Sequence, residues 1–167
     1  TEKAGESTDF KPQLLNTING ENLEEVFKYF PKVFMQTKHD GERRGASITS
    51  LEIIASNRRG LRVGLQKPIK DALEKLKDGG FIDTEIDTED MGDHLVIFDV
   101  LKFKGLDIKE NPFSDRVNYL DQLGEEIKSR KLDNALKVDS PTIASIFHYF
   151  QSLRSHTIKP VGSYQCS

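Results

Sequence analysis

The sequence predicts an α+β fold, and three observations indicate it. Strand-like and helix-like segments follow one another without a regular strand–helix–strand rhythm, which disfavours a parallel α/β sheet. Residues 44–64 contain two β-rich runs separated by the turn sequence NRRG, a hairpin-like pattern. The chain has 167 residues, of which 36% are hydrophobic, and this is enough for one domain with a real core.

The spacing of apolar residues predicts the individual elements. Four segments show helical spacing, and the predicted helices cover residues 21–30, 68–80, 111–131 and 140–155. Short β-rich runs predict strands within residues 32–38, 44–64, 81–87 and 94–105, and at most one more within 156–167. The second helix has the clearest limits, because Pro68 stands at its start and Gly79–Gly80 at its end. An acidic turn, TEDMGD, is expected before the strand in 94–105.

The chain is predicted to have two parts. Residues 1–12 are polar and show no apolar periodicity, so we expect a loose lead-in. Residues 13–167 contain no internal repeat and no low-complexity linker, so we expect them to form a single domain.

Composition limits the classes of function. The 24 Lys+Arg residues against 27 Asp+Glu residues argue against nucleic-acid binding by bulk charge, although they allow a local basic groove. The single cysteine, Cys166, excludes a disulfide framework within the chain and disfavours a cysteine-based zinc site. This composition fits a reducing compartment, so an intracellular location is expected, with nucleus and cytoplasm both open. No apolar run approaches the length of a membrane span, and no membrane partner is expected.

The stretch TKHDGERRG at residues 37–45 contains the pattern Lys38-x-Asp40-Gly41-x-Arg43. Taken alone, a charged stretch with Asp-Gly is typical of a surface turn. Further motifs follow it in order along the chain: NRRG with Arg58 and Gly60, Asp83-Thr84-Glu85, LVIFDVLKFKGLDI with Phe98 and Asp99, and PFSDRVNYL. The series as a whole is far more specific than any one of its members.

This series resembles the covalent nucleotidyltransferases, which are the ATP-dependent polynucleotide ligases and the mRNA capping guanylyltransferases. The order and spacing agree over residues 33–125, and the phrases Phe-Asp-x-Leu and Pro-Phe-x-x-Arg look most like the DNA-ligase branch. The resemblance implies a nucleotidyltransferase (ATP-grasp-like) adenylation domain. Its expected architecture is antiparallel sheets flanked by helices, with the nucleotide in the groove between the sheets.

In that family a lysine is adenylylated by ATP, the AMP passes to a 5′-phosphate, and an adjacent 3′-hydroxyl seals the strand. The resemblance implies that Lys38 is the nucleophile, since a lysine amine forms a phosphoramidate that can leave in the next step. It assigns Gln36 to the adenine edge and Phe98 to stacking on the purine. Arg43 and Arg58 would contact phosphate or ribose through their planar guanidinium groups.

Two further residues and the cofactors come from the same resemblance. Glu85 would accept a ribose hydroxyl or help to hold the metal, and Lys159 would contact phosphate. ATP and Mg²⁺ are the implied cofactors, because the metal supplies positive charge and stabilises the pyrophosphate leaving group. The implied partner is nicked DNA or another nucleic acid, in DNA repair or replication.

The resemblance decays after residue 130. Alignment on Lys159 places Arg154 and Ser155 where the family has a glutamate and a glycine. The family's final Lys-x-Lys strand and its OB-fold domain have no counterpart in the sequence. The expectation is an incomplete adenylation domain over 13–167, either a fragment or a chain that a second chain completes. An open sheet edge would then favour self-association or marginal stability.

The sequence leaves several alternatives open, including whether the chain is an active enzyme. The chain could be a capping guanylyltransferase that uses GTP, an RNA ligase, or a catalytically impaired remnant that binds nucleotide or nucleic acid. Lys38 could be a solvated loop lysine, Arg58 a turn residue equivalent to Arg59, Glu85 a strand-face acid, and Phe98 part of the core. The acidic run 83–93 is interpreted as a solvated turn. The histidines show no ligand spacing and are interpreted as structural or surface residues: His39, His94, His148 and His156.

Overall fold

A computed structural model describes residues 4–14, 16, 20–30, 32–144 and 156–159; the side chains of 20–24, 144 and 156–159 are outside this description. The fold class is confirmed: the chain is α+β, with antiparallel sheets flanked by helices. The described helices are α1 Gly20–Tyr29, α2 Lys67–Asp78 and α3 Phe113–Ser129. The described strands are β1 Val33–Thr37, β2 Glu42–Ile48, β3 Ile53–Ser56, β4 Arg62–Val63, β5 Thr84–Asp90, β6 Leu95–Phe103, β7 Leu106–Asp107, β8 Leu136–Val138, β9 Thr142–Ala144 and β10 His156–Lys159.

The strands form two sheets. The larger sheet has the order β4-β3-β2-β5-β6-β7, and β8 pairs with β6 in parallel while the other neighbours are antiparallel. The smaller sheet has the order β10-β1-β9 and is antiparallel. The chain passes from the smaller sheet to the larger one between β1 and β2, so residues 38–41 connect the two.

The main core lies between the larger sheet and the helices α2 and α3. Ala46 and Ile48 of β2 face this core, and both are buried. The spacing of apolar residues in α2 predicts one apolar face, and this face is confirmed because its four members are buried: Ile69, Ala72, Leu73 and Leu76. Because side chains alternate along a strand, Gly45 and Ser47 face the opposite side of the sheet.

Residues 4–14 lie against that opposite side. Backbone hydrogen bonds join Gly5 to Arg62 at 2.9 Å and Thr8 to Gly60 at 2.7 Å. The Phe10 ring packs so closely on Gly45 that a Cβ built there would lie 2.5 Å from the ring. The described residues of the predicted lead-in therefore contact the sheet, a contact for which the sequence gives no signal.

Three predicted elements differ from the structure. The predicted helix over 140–155 is wrong at Thr142–Ala144, which pair with β1 as β9, and residues 145–155 lie outside the described residues. The run ASITSLEIIAS is divided by a turn in which Thr49 and Glu52 are hydrogen-bonded to each other. Residues 88–90 of the predicted acidic turn belong to β5. The single strand expected in 156–167 is confirmed for His156–Lys159.

None of the helices in the described part of the chain has the length and apolar character needed to cross a membrane.

Candidate active site

Lys38 lies at the junction of the two sheets. It follows Thr37, the last residue of β1, and the loop it begins leads into β2 at Glu42. Its side chain is exposed, whereas Gln36, two positions earlier, is buried. The strand therefore anchors the residues before the lysine in the protein and presents the lysine itself to solvent.

Arg43 is fixed by a buried carboxylate. Its Nε and Nη2 donate to Oδ1 and Oδ2 of Asp87, both at 2.5 Å, and Asp87 is fully buried. Its Nη1 donates to the Gln13 carbonyl at 3.1 Å. The guanidinium carbon lies 5.0 Å from the centre of the Phe98 ring, a cation–π distance. Arg43 thus lies over the Phe98 ring, and the stacking of Phe98 on a purine stays a prediction.

Glu89 is the acid that lies beside the lysine motif, and sequence reasoning missed it. It stands opposite Arg43 across β2 and β5, and its Oε1 accepts the Gly41 N–H at 3.1 Å. Burial raises the pKa of Glu89 above its ordinary value. The Gly41 hydrogen bond and the charges of Arg43 and Lys38 act in the opposite direction, while Asp87 raises the pKa further. The charge of Lys38 is therefore close enough to act on this carboxylate.

The chain contains two Asp-Thr-Glu triplets, and the second one is next to the motif. Residues 87–89 carry the partners of Arg43 and Gly41, whereas Glu85 of the first triplet stands opposite Ser47. Glu89 is four positions after Glu85 along the strand, a distance of about 13 Å. The sequence TEIDTED contains a pattern that points to Glu89. Its acids at 85, 87 and 89 alternate, so they share one face of a strand.

Glu85 instead lines a cavity of about 240 Å³ between the sheet and residues 6–11. Phe10, Ser56 and Arg62 are among the other lining residues. Within the described parts of the chain, no group of three or more His, Cys, Asp or Glu side chains could hold a metal ion. The ribose and metal roles of Glu85 stay predictions.

Gln36 ties β1 to the larger sheet. Its Nε2 donates to the Phe98 carbonyl at 3.0 Å and to the Asp139 carbonyl at 2.8 Å. Both hydrogens of the amide nitrogen are thus used within the protein. A base edge read by Gln36, as the sequence predicts, would have to bind at the Oε1 atom.

Arg58 lies in the predicted turn between β3 and β4. The Asn57 side chain accepts the N–H groups of Arg59 and Leu61, and Gly60 has a φ of +77°, which glycine adopts without strain. Arg58 and Arg59 are both exposed, and the contact of Arg58 with phosphate or ribose stays a prediction.

Lys159 is placed only by its backbone. It pairs with Phe34 across β10 and β1, and its side chain lies outside the described residues. Its predicted contact with phosphate stays a prediction.

A buried ion pair joins the two downstream motifs. Arg116 of the PFSDRVNYL segment donates from Nε and Nη2 to the Asp99 carboxylate at 2.9 and 3.0 Å, and both residues are buried. Arg116 also donates to the Asn111 carbonyl at 2.7 Å. The ion pair therefore holds the start of α3 next to the strand that carries Phe98 and Asp99.

No family model and no curated protein matches this sequence. Solved structures do match it. A chain named "Pmar-Lig_Pre." aligns with 91% of this chain at 16% identity and a TM-score of 0.68. A chain named "Pmar-Lig_PreS3" aligns with 89% at 15% identity and a TM-score of 0.67. This chain covers 43% of each solved chain, which is less than half of its length. The chain thus has the fold of part of these structures, shared at low sequence identity.

Proposed function

We propose that this chain is the adenylation domain of an ATP-dependent polynucleotide ligase, with DNA as the substrate, and that Lys38 is its nucleophile. One observation carries the proposal. The exposed Lys38 stands where the two sheets meet, beside Glu89 and next to the cluster of Arg43, Asp87 and Phe98. The ligase-like fold supports it, and the order of the motifs along the chain agrees with it.

In the first step, the neutral Lys38 amine attacks the α-phosphorus of ATP. A P–N bond forms, the bond to the β-phosphate oxygen breaks, and pyrophosphate leaves with the electron pair of that bond. In the second step, a 5′-phosphate oxygen attacks the same phosphorus and displaces the lysine. Attack by the neighbouring 3′-hydroxyl then forms the phosphodiester and releases AMP.

The described residues have separate tasks in this scheme. Phe98 would stack on the adenine, and Arg43 is held by Asp87 in a fixed position for a ribose or phosphate contact. Glu89 is a second candidate, beside Glu85, for the contact with a ribose hydroxyl or the metal.

Mg²⁺ is commonly bound by one or two carboxylates together with substrate phosphates and water, so the site needs no cage of several acids. Glu89 is positioned to supply one carboxylate beside Lys38. When bound, the metal would add positive charge at the phosphates.

The test is the intact mass of the protein after incubation with Mg²⁺ and either ATP or GTP. The proposal expects one adenylyl group with ATP, no adduct for Lys38→Ala, and an unchanged adduct for Lys70→Ala, an exposed lysine on α2. Addition of nicked DNA or nicked RNA should then remove the adduct and identify the nucleic acid.

Two other results would contradict the proposal, and each would indicate a different function. An adduct with GTP alone would indicate a guanylyltransferase. Absence of any adduct in a folded sample would indicate a chain that has kept the fold without its first chemical step.

A further inference from the structure

Asp139 contacts the chain on both sides of Lys38. It lies between β8 and β9, and its backbone carbonyl accepts from Gln36, two residues before the lysine, at 2.8 Å. Its carboxylate oxygen Oδ2 lies 3.1 Å from Nε2 of His39, the residue directly after the lysine. We propose that the Asp139–His39 pair positions Lys38 for the adenylylation step. The inference rests on the proposed function of Lys38.

Asp139 is itself well anchored. Its backbone N–H donates to the Ile97 carbonyl of β6 at 2.9 Å, which extends the pairing of β8 with β6 by one residue. A single residue thus connects the larger sheet to β1 through Gln36 and to the lysine loop through His39.

The direction of the hydrogen bond is fixed by chemistry. An ionised carboxylate only accepts, so His39 donates from a protonated Nε2. The side chains of His39 and Asp139 are 27% and 20% exposed, so the contact is largely shielded from water. Such a contact restrains a loop better than a fully solvated ion pair does.

The loop is held at a second point. The Gly41 N–H donates to Glu89, so contacts with Asp139 and Glu89 hold residues 39 and 41 on opposite sides of Asp40. Residues 38–40 belong to no helix or strand. These two carboxylates are therefore the described side-chain contacts that fix the path of the loop.

The position of the Lys38 amine affects the rate of adenylylation more than it affects the stability of the fold. A nucleophile must approach the phosphorus in line with the leaving group, and a misplacement of about 1 Å can cost about 100-fold in rate. Loss of the Asp139–His39 contact should therefore slow the attack by Lys38 without removing any group that binds ATP.

The experiment measures the rate of adduct formation against ATP concentration for the wild type, His39→Ala, Asp139→Ala and the double variant. We expect each single variant to lose about tenfold or more in maximal rate, with the apparent KM for ATP unchanged. The double variant should be no slower than either single variant, because both remove the same contact. Asp71→Ala, which breaks an exposed ion pair on α2, should keep the wild-type rate.

Conservative variants separate positioning from simple folding defects. His39→Gln keeps an N–H donor and Asp139→Asn keeps an oxygen acceptor, so each should recover most of the rate. Multiplied losses in the double variant, unchanged rates in the alanine variants, or a change in KM alone would overturn the inference.

A second readout needs no nucleotide. Hydrogen exchange in the peptide that spans residues 37–41 should become faster in Asp139→Ala, while exchange in β6 stays slow. Unchanged exchange in this loop would also overturn the inference. If the wild type forms no adduct with ATP, the proposed function fails, and the exchange measurement still decides whether Asp139 holds the loop.

Discussion

Asp87 and Asp99 are fully buried carboxylates, and each accepts two hydrogen bonds from one arginine. Burying an ionised group without a partner is costly, so both pairs need both members. The pairs differ in what surrounds them. Arg43, the partner of Asp87, follows the loop of Lys38 closely in the chain and remains partly exposed, whereas Arg116, the partner of Asp99, is enclosed. The first pair belongs to the candidate site and the second stabilises the frame around it.

The Asp99–Arg116 pair yields a prediction about stability. Asp99→Asn leaves the guanidinium charge of Arg116 buried without compensation, and it should lower the free energy of unfolding by about 3–5 kcal/mol. Asp71→Asn is the matched control, since Asp71 pairs with Lys67 on the surface, and it should cost less than about 0.5 kcal/mol. Urea unfolding curves of both variants test this. A loss below about 1 kcal/mol for Asp99→Asn would contradict the structural role of the pair.

Glu89 yields a prediction about pH. Burial raises the pKa of Glu89 above 4.5, so the folded state binds this proton more tightly than the unfolded state does. Stability should then be greater at low pH and should fall as the pH rises through the folded-state pKa. Glu89→Gln carries no charge and should flatten this part of the profile. Urea midpoints between about pH 4 and pH 7 measure it, with Glu85→Gln as the control from the same strand; a profile that keeps its slope in Glu89→Gln would contradict the assignment.

The N-terminal segment is the element that the sequence explains least. Residues 1–12 have no periodic pattern, yet backbone hydrogen bonds and the Phe10–Gly45 contact hold residues 5–10 on the sheet. The segment also reaches the candidate site, because the Gln13 carbonyl accepts from Arg43. Its docking depends on the absence of a side chain at position 45, which is a tertiary condition that local sequence does not reveal.

Gly45→Ala should therefore displace the segment. The new Cβ would lie 2.5 Å from the Phe10 ring, so the ring must move, at a cost of about 1–2 kcal/mol. Hydrogen exchange of residues 5–13 should become faster than in the wild type. Gly64→Ala is the matched control, since a Cβ at Gly64 meets nothing within 4 Å. Equal protection of the segment in both variants would show that Phe10 does not depend on Gly45.

Helices and strands were predicted correctly from local sequence where the spacing of apolar residues agrees with the residues that the fold buries. The four predicted residues of α2 are buried because this face of the helix packs into the core against the larger sheet. The prediction was wrong for Thr142–Ala144, where pairing with β1 decides the structure and residues far away in sequence supply the partner. The same limit applies to the candidate site: the pattern predicts Lys38, Arg43 and Glu85, but only the register of β2 with β5 shows that Glu89 stands opposite Arg43.

At the scale of the molecule, the two sheets meet where the chain crosses from β1 to β2, and Lys38 stands at this crossing. Gln36 and Asp139 connect the sheets on one side of the lysine, and Glu89 contacts its loop on the other. This chain covers 43% of each matched solved chain, so adenylylation and the steps that follow it are proposed activities.

The covalent bond between Lys38 and AMP can be located by tandem mass spectrometry of the protein digested after reaction with ATP and Mg²⁺. We expect the adenylyl group on Lys38 alone, and we expect added pyrophosphate to remove that group with formation of ATP. An adenylyl group on another residue, or none on a folded and nucleotide-saturated protein, would contradict the assignment of Lys38 as the nucleophile.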